Sequence, residues 1–87
     1  MASYQIEWKR SALKELKKTP KETVIRIVQA IELLAFDPFP TGTRKLSGAE
    51  SSYRIRVGDY RVIYSVHEEQ LLIEIVRVGH RKDVYRR

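Results

Sequence analysis

Cysteine is absent from this sequence of 87 residues, which excludes a disulfide framework and any metal site built on thiolates. Only four residues are glycine and 43% are hydrophobic, so a chain of this length can still bury an adequate core. No apolar run approaches the ~20 residues that span a bilayer, and residues 1–8 lack the character of a signal peptide. We therefore expect one soluble, cytoplasmic domain over residues 1–87, with no membrane partner.

Acidic residues are outnumbered, because 17 lysines and arginines stand against 11 aspartates and glutamates. The net charge of +6 and the pI of about 9.8 favour polyanionic partners, either nucleic acid or an acidic protein, although many small domains are basic without binding RNA. From residue 44 onward arginine replaces lysine as the main cation. Arginine's planar fork suits bidentate phosphate contacts, so the second half is the more informative one.

The first half of the chain predicts one strand and two helices. Apolar residues alternate with polar ones over residues 4–8, which indicates a short strand. Residues 9–18 then predict a helix with Leu13 and Leu16 inward and the lysines outward. This pattern places a strand before the first helix.

A strong start signal predicts the second helix. Thr19 can cap it, Pro20 sits at the first helical position, and Glu22 completes a capping box. Apolar residues then recur at helical spacing: Val24, Ile27, Val28, Ile31 and Leu34. Asp37 and Pro38 stop the run.

Apart from an irregular loop over residues 36–48, the remainder predicts strands. Gly58-Asp59 is a two-residue hairpin signal of the kind with glycine first. A second turn at residues 68–69 leads into a last strand over residues 71–78. The order of a strand, two helices and a three-stranded meander predicts an α+β fold. Two N-terminal helices would pack on one face of a small, mainly antiparallel sheet.

The register of the predicted hairpin sets arginine opposite arginine. Arg56 would lie opposite Arg61 and Arg54 opposite Ile63, while the apolar residues that alternate with them would face the helices. Like charges directly opposite each other destabilise a sheet, by roughly 0.2–1 kcal/mol per pair. We interpret the shared face as a phosphate cradle. The alternative is a solvated face on which arginine serves strand compatibility.

The last residues add further groups suited to RNA cleavage, namely His80, Arg81, Lys82 and Tyr85. In-line attack by a 2′-hydroxyl needs a proton acceptor, cations for the charged transition state and a donor for the leaving oxygen. Histidine transfers protons near neutral pH, and tyrosine can stack on a splayed base. A lone surface histidine is usually incidental, and we interpret His67 in that way.

Three sequence blocks together carry a resemblance: Tyr-Arg-Ile-Arg at 53–56, Gly-Asp-Tyr-Arg at 58–61 and Val-Gly-His-Arg at 78–81. With them, the whole chain resembles the RelE/ParE toxin superfamily, and most of all the RelE-type messenger-RNA interferases of bacterial toxin–antitoxin pairs. The resemblance implies a RelE-like β-α-α-β-β-β fold and a toxin that cuts mRNA in the ribosomal decoding site without metal or cofactor. The implied partners are a cognate antitoxin that wraps around the toxin, the ribosome and mRNA.

The resemblance also implies residue roles. Arg61 matches the family's phosphate-binding arginine, Arg81 its proposed acid or charge stabiliser, and Tyr85 its stacking tyrosine. Arg54 and Arg56 stand where the best-studied relatives have two lysines, one of them a proposed general base. Arginine is effectively always protonated, so the proton of the 2′-hydroxyl would pass to His80, or the ribosome would contribute more of the chemistry. The predicted catalytic residues are Arg61, Arg81, His80 and Tyr85, and the predicted RNA or phosphate contacts are Arg54, Arg56, Arg44, Lys45 and Lys82.

Two other functions stay open at this point. The second branch of the superfamily poisons DNA gyrase and commonly lacks the full arginine–tyrosine set, so Arg61, Arg81 and Tyr85 together favour the nuclease. A non-catalytic basic module would only bind RNA or an acidic protein. Codon preference and the identity of the antitoxin do not follow from the sequence.

Overall fold

The strands predicted from alternation are present, and they form one sheet. The computed structural model describes residues 3–46 and 51–80, which contain two α-helices and five strands. In chain order these are β1 (Gln5–Trp8), α1 (Arg10–Lys17), α2 (Lys21–Leu34), β2 (Arg44–Lys45), β3 (Ser52–Val57), β4 (Tyr60–His67) and β5 (Leu72–His80). The predicted α+β class is confirmed. Within the described ranges, neither helix is long and apolar enough to cross a membrane.

The sheet runs in the order β1-β5-β4-β3-β2, so the last strand lies inside it and the first strand lies at an edge. β1 pairs with β5 in parallel, whereas the other three pairings are antiparallel. The two-residue β2 lies within the stretch that was predicted to be irregular. It pairs with β3 through Arg44 opposite Arg54, and it thereby extends the sheet beyond the predicted meander.

The β3–β4 hairpin has the predicted turn and register. Gly58 has a φ of +61°, a conformation that L side chains rarely adopt, and Asp59 does not share it, as a glycine-first turn requires. Arg56 lies opposite Arg61, and Arg54 lies opposite Ile63. The hairpin therefore sends its arginines to one face and its apolar residues to the other, as predicted.

The core fills the space between α2 and the inner face of the sheet. Its fully buried members are Ala12, Ile27, Leu34, Val62, Tyr64, Ile73, Ile75 and Val78. Tyr64 is the largest of them, and its hydroxyl donates a hydrogen bond of 2.7 Å to the Pro38 carbonyl oxygen. Burial raises the pKa of the Tyr64 hydroxyl. The phenol therefore anchors the loop that follows α2 to the centre of the sheet.

Helix α1 closes the edge of β5 where β1 ends. The carboxylate of Glu15 accepts a hydrogen bond of 2.9 Å from the backbone N–H of Val78. The same carboxylate accepts bonds of 3.2 and 2.9 Å from Nε and one terminal nitrogen of Arg77. The Glu15 side chain thus occupies one backbone N–H that would otherwise remain open to another strand.

The position of Leu13 differs from the prediction. The structure leaves Leu13 42% exposed, and the buried residue of α1 is Ala12. Glu15 must point towards β5, and two residues along a helix correspond to about 200° around its axis. Leu13 therefore points away from the sheet, whereas Leu16 packs partly against the core.

The predicted capping box is also wrong. Helix α2 begins at Lys21, with Pro20 at the capping position and no side-chain cap. The Thr19 hydroxyl instead donates to the carbonyl oxygen of Glu15 at 2.9 Å. Thr19 closes the last turn of α1, because its backbone N–H also bonds to Leu16, so its side chain is turned away from α2.

Candidate nucleic-acid interface

Four arginines surround a cleft on the face of the sheet that the helices leave uncovered. We call it the arginine cleft; it has a volume of about 300 Å³ and is lined by Gly42, Arg44, Arg54, Arg56 and Arg61. Two cross-strand pairings build it, Arg44 with Arg54 and Arg56 with Arg61. None of the described residues that line it is acidic. The cleft therefore concentrates positive charge.

Arg61 is the most unusual member of this cleft. Its side chain is buried, with 7% of the residue exposed, and its Nε has no hydrogen-bond partner. One terminal nitrogen donates a long bond of 3.4 Å to the Tyr60 carbonyl oxygen. No acidic side chain within residues 3–46 and 51–80 forms an ion pair with it. Buried arginines are normally paired, so this cation lacks the anion that its position calls for.

One glycine lines the cleft and another lies opposite its buried arginine, and the sequence interpretation gave neither a part in the site. Gly79 lies directly opposite Arg61 on β5 and brings no side chain to that position. Gly42, at the mouth of the cleft, has a φ of +93°, which turns the chain just before β2. A glycine inside a strand pattern signals a bulge or a close approach, and that signal was available at Gly79.

The structure does not bring His80 to the arginine cleft. His80 pairs with Tyr60, and the two rings meet edge to face with centroids 5.7 Å apart. Together with Thr19 and Glu15, they line a separate cleft beside the end of α1. Along β5, Gly79 shares the face of Arg61, so His80 must lie on the helix-covered face. The expectation that His80 works beside the arginines is corrected on this point, and its role in proton transfer stays a prediction that the geometry opposes.

Lys45 is also directed away from the arginines. It lies opposite Tyr53, whose ring packs against the core and against Phe39 at 4.9 Å, so Lys45 belongs to the other face of the sheet. Nε2 of His67 lies 4.0 Å from a carboxylate oxygen of Glu74 at the far end of β4, and its interpretation as incidental stays a prediction. Three further predicted site residues fall outside the described residues: Arg81, Lys82 and Tyr85.

The arginine cleft can hold an anion and stabilise negative charge. Guanidinium groups offer planar, bidentate donors to phosphate oxygens, and two cross-strand pairs offer them at adjacent positions. None of the described lining residues can accept a proton, because arginine stays protonated at all ordinary pH values. The cleft therefore supplies electrostatic stabilisation, and proton transfer requires a group from elsewhere.

Known proteins match this chain over most of its length, and a solved structure among them shares its fold. The family described as the ParE toxin of type II toxin–antitoxin systems, parDE, matches residues 6–85. Toxin RelG of Mycobacterium tuberculosis is 33% identical, over 97% of this chain and 98% of that protein. The putative toxin RelE1 of Methanocaldococcus jannaschii is 29% identical, over 95% of this chain and 96% of that protein. A crystal structure of the archaeal RelE–RelB complex from Pyrococcus horikoshii superposes with a TM-score of 0.82 and 31% identity, over 93% of this chain and 98% of that one.

Proposed function

We propose that the chain, which belongs to the ParE toxin family of type II toxin–antitoxin systems, is a RelE-like endoribonuclease that cuts mRNA in the ribosomal decoding site, because the relatives that it resembles are RelE-type toxins. Arg61 carries the proposal. A guanidinium that is buried, faces another arginine and has no counter-ion among residues 3–46 and 51–80 costs stability unless a ligand supplies the charge. A phosphodiester supplies it in the form that arginine binds best.

The proposed reaction is an in-line transfer that needs no metal. The 2′-oxygen of the RNA forms a bond to the adjacent phosphorus, the bond from phosphorus to the 5′-oxygen breaks, and a 2′,3′-cyclic phosphate remains. Arg61 and Arg56 stabilise the charge that develops on the phosphoryl oxygens. Arg54 and Arg44 hold the neighbouring phosphates. The 2′-hydroxyl loses a proton and the leaving 5′-oxygen gains one.

We assign the acceptor of the 2′-hydroxyl proton to water or to a group on the ribosome. His80 lies on the opposite face of the sheet, in contact with Tyr60, so it cannot reach a phosphate held in the arginine cleft without a change of structure. Arg81 and Tyr85 keep their proposed roles as charge stabiliser and stacking residue. A protein that borrows part of the reaction from the ribosome should cut free RNA poorly.

The proposed partners are the ribosome, mRNA and a cognate antitoxin. We propose an antitoxin because two similar solved structures are toxin–antitoxin complexes. The archaeal one is a RelE–RelB complex, and the mycobacterial one is the RelBE2 complex. We propose the ribosome and mRNA as partners because the chain is RelE-like and because the arginine cleft suits phosphates. Such a toxin acts in the cytoplasm.

Cleavage mapping on translating ribosomes tests this function. The purified chain is added to stalled translation complexes and, in parallel, to the same mRNA without ribosomes, and cut sites are mapped by primer extension. We expect cuts only in ribosome-bound mRNA, confined to the codon in the decoding site. Equal cleavage of free RNA, or no cleavage with intact ribosomes, would contradict the proposal.

A second candidate function is the poisoning of DNA gyrase. The family description favours it, because the matching family carries the ParE name. Supercoiling of plasmid DNA by purified gyrase, with and without the chain, separates the two. Trapped double-strand breaks without any effect on translation would establish the second candidate in place of the first.

A further inference from the structure

A second pocket opens beside the arginine cleft, between α2, the loop before β2 and the edge of strand β3. We call it the edge pocket; it has a volume of about 400 Å³. Its walls are mainly apolar and include Ala30, Leu33, Pro40 and Ile55. A cavity of this size, with apolar walls and few polar groups, is typical of a site for a small organic molecule. The cleavage chemistry proposed above gives it no role.

The edge pocket is continuous with the arginine cleft. Gly42 and Arg56 line both of them. The cleft offers guanidinium groups, whereas the pocket offers aliphatic surface, including the side chain of Leu33, a residue that is 68% exposed. A ligand with a phosphate in the cleft can therefore place an attached apolar, planar group in the pocket.

The edge pocket also contains an open segment of strand edge. The backbone N–H of Leu46 donates to the Ser52 carbonyl oxygen at 2.9 Å, so Ser52 directs its backbone groups towards β2. Alternate residues of a strand direct these groups to the same side, so Arg54 and Arg56 do as well. Strand β2 begins at Arg44, opposite Arg54, and no strand among the described residues pairs with Arg56 on that side. The N–H and the carbonyl of Arg56 are therefore one donor and one acceptor at the edge where the pocket lies.

A turn in the preceding loop keeps this edge open. Gly42 has a φ of +93°, and the backbone N–H of Thr43 donates to the Pro40 carbonyl oxygen at 3.0 Å. The chain therefore bends away from β3 just where a longer β2 would have paired with Arg56. The space that this bend leaves is the edge pocket.

We propose that the edge pocket is a base-binding subsite, which takes an unstacked nucleobase of the RNA next to the phosphate in the arginine cleft. The proposal rests on the proposed function, because that function places RNA in the cleft. The base would pack on the aliphatic walls and on the guanidinium plane of Arg56. The edge of a nucleobase carries both donors and acceptors, which would bond to the carbonyl and the N–H of Arg56.

An added peptide strand fits this edge less well. The next residue of the chain that would face the same side is Gly58, which lies in the hairpin turn with a φ of +61°. A strand would therefore gain the backbone bonds of Arg56 and then lose the ladder. A nucleotide needs only one donor and one acceptor, and its phosphate also satisfies the arginines.

A titration of the isotope-labelled full chain, followed by NMR, tests this proposal. The probe is a 2′-O-methyl adenine dinucleotide, which cannot be cleaved because the attacking hydroxyl is blocked. Its control is the same sugar–phosphate backbone without either base. We expect the probe to bind at least about fivefold more tightly than the control, as one stacked base commonly provides. The Arg56 amide and the methyl groups of Leu33 and Ile55 should shift with the probe and not with the control.

Two variants remove the subsite, and a third serves as their control. Ala30→Phe places a ring in the edge pocket, and Leu33→Ser removes an exposed apolar wall. Both should abolish or reduce the preference for the probe and leave binding of the abasic control unchanged. Ile25→Ser removes another aliphatic side chain of α2, from a residue that is 54% exposed and does not line the pocket, so it should behave like the parent chain. Thermal unfolding of each variant shows whether it is folded.

The outcomes separate the subsite from the nuclease. Equal affinity for the two ligands, with the Arg61 side-chain signal responding to both, overturns the subsite and leaves the arginine cleft in place. An unchanged preference in a folded Leu33→Ser protein also overturns the subsite. If neither ligand binds, the subsite and the phosphate-binding cleft both fail. Ribosomal cleavage by the parent chain is measured separately, so a failed subsite and a failed nuclease are distinguished.

Discussion

The two faces of the sheet treat their polar groups in opposite ways. On the helix-covered side, the Tyr64 hydroxyl bonds to a carbonyl, and at the adjoining edge Glu15 takes three hydrogen bonds. On the open side, Arg56 directly faces Arg61, and Nε of Arg61 has no hydrogen-bond partner among the described residues. The matched groups stabilise the fold, whereas the unmatched cations destabilise it. On the proposed function, ligand binding and stability therefore belong to separate surfaces, as is common where a site departs from what the fold alone favours.

The largest expected effect belongs to the open face. Arg61→Ala should lower ribosomal cleavage by at least about 10²-fold, because it removes a preorganised charge from the phosphoryl oxygens. The matched control is Arg26→Ala on α2, which removes an arginine that lies outside the cleft. Single-turnover cleavage measures both. A folded Arg61→Ala protein with parental activity would contradict the assignment of the arginine cleft as the phosphate-binding site.

The next effect belongs to the edge beside α1. Glu15→Ala should lower the free energy of unfolding by about 2 kcal/mol, since it leaves Arg77 and the N–H of Val78 without their acceptor. Urea denaturation measures it, with exposed Glu68→Ala as the control. A change in the free energy of unfolding as small as that of the control would mean that water replaces the carboxylate as acceptor. The contrast between satisfied polar groups beside the helices and unsatisfied arginines on the open face would then be weaker.

Tyr64→Phe should cost about 1 kcal/mol, because the Pro38 carbonyl loses its donor in the core. It should also change the response to alkali. Burial raises the pKa of Tyr64 above its ordinary value of 10.0, so the native state keeps a proton that the unfolded chain releases. This contribution is complete below pH ~10 and falls as the pH rises further. Denaturation near neutral and at alkaline pH should show less alkaline loss in Tyr64→Phe than in the parent.

A smaller effect of the opposite sign is expected on the open face. Arg56→Thr should raise the free energy of unfolding by roughly 0.2–1 kcal/mol, because it relieves the like-charge pair with Arg61 and keeps a residue suited to strands. It should also weaken RNA binding and lower the salt dependence by about one phosphate contact. A loss of stability would show that Arg56 and Arg61 do not repel each other appreciably.

The smallest effect tests the separation of the two faces directly. His80→Gln should leave the rate of ribosomal cleavage within about threefold of the parent, far from the ~10²–10⁴-fold expected of a general base. The shape of the pH–rate profile should not change. A large loss in His80→Gln, with a lost inflection in that profile, would mean that the histidine reaches the reacting phosphate after all.

The hairpin and the charge on its open face could be predicted from the sequence. Because alternate residues of a strand share a face, only a few pairings of the two hairpin strands keep the apolar residues together. A glycine-first turn at Gly58 selects the pairing in which Arg56 lies opposite Arg61. The same rule of alternation, extended along β5, separates His80 from the arginines. That inference required knowing that β5 continues to residue 80 and in which register it pairs with β4, and both depend on tertiary packing.

Helix α1 shows why the remainder could not be predicted. Its eight residues offer too few apolar positions to define an inner face, and the sheet edge decides the matter through the hydrogen bonds of Glu15. Once Glu15 points towards β5, Leu13 must point outward. The cap predicted at Thr19 is absent for a related reason, since its hydroxyl donates to the Glu15 carbonyl oxygen in the preceding helix and does not accept from a backbone N–H of α2. Such competition is set by contacts distant in sequence.

The placement of β5 has a consequence for the synthesis of the protein. β5 is the last of the five strands in chain order, yet β1 and β4 both depend on it, and Gln5 must wait for Leu72 before it has a partner. Closing so long a stretch of chain is entropically costly and slow. We expect β1 to β4 to be synthesised before β5 can pair, so that the nascent chain carries an unfinished sheet whose β4 edge is still exposed. Each new molecule would then pass through an interval in which it is not yet a toxin and a neighbouring protein can still capture it.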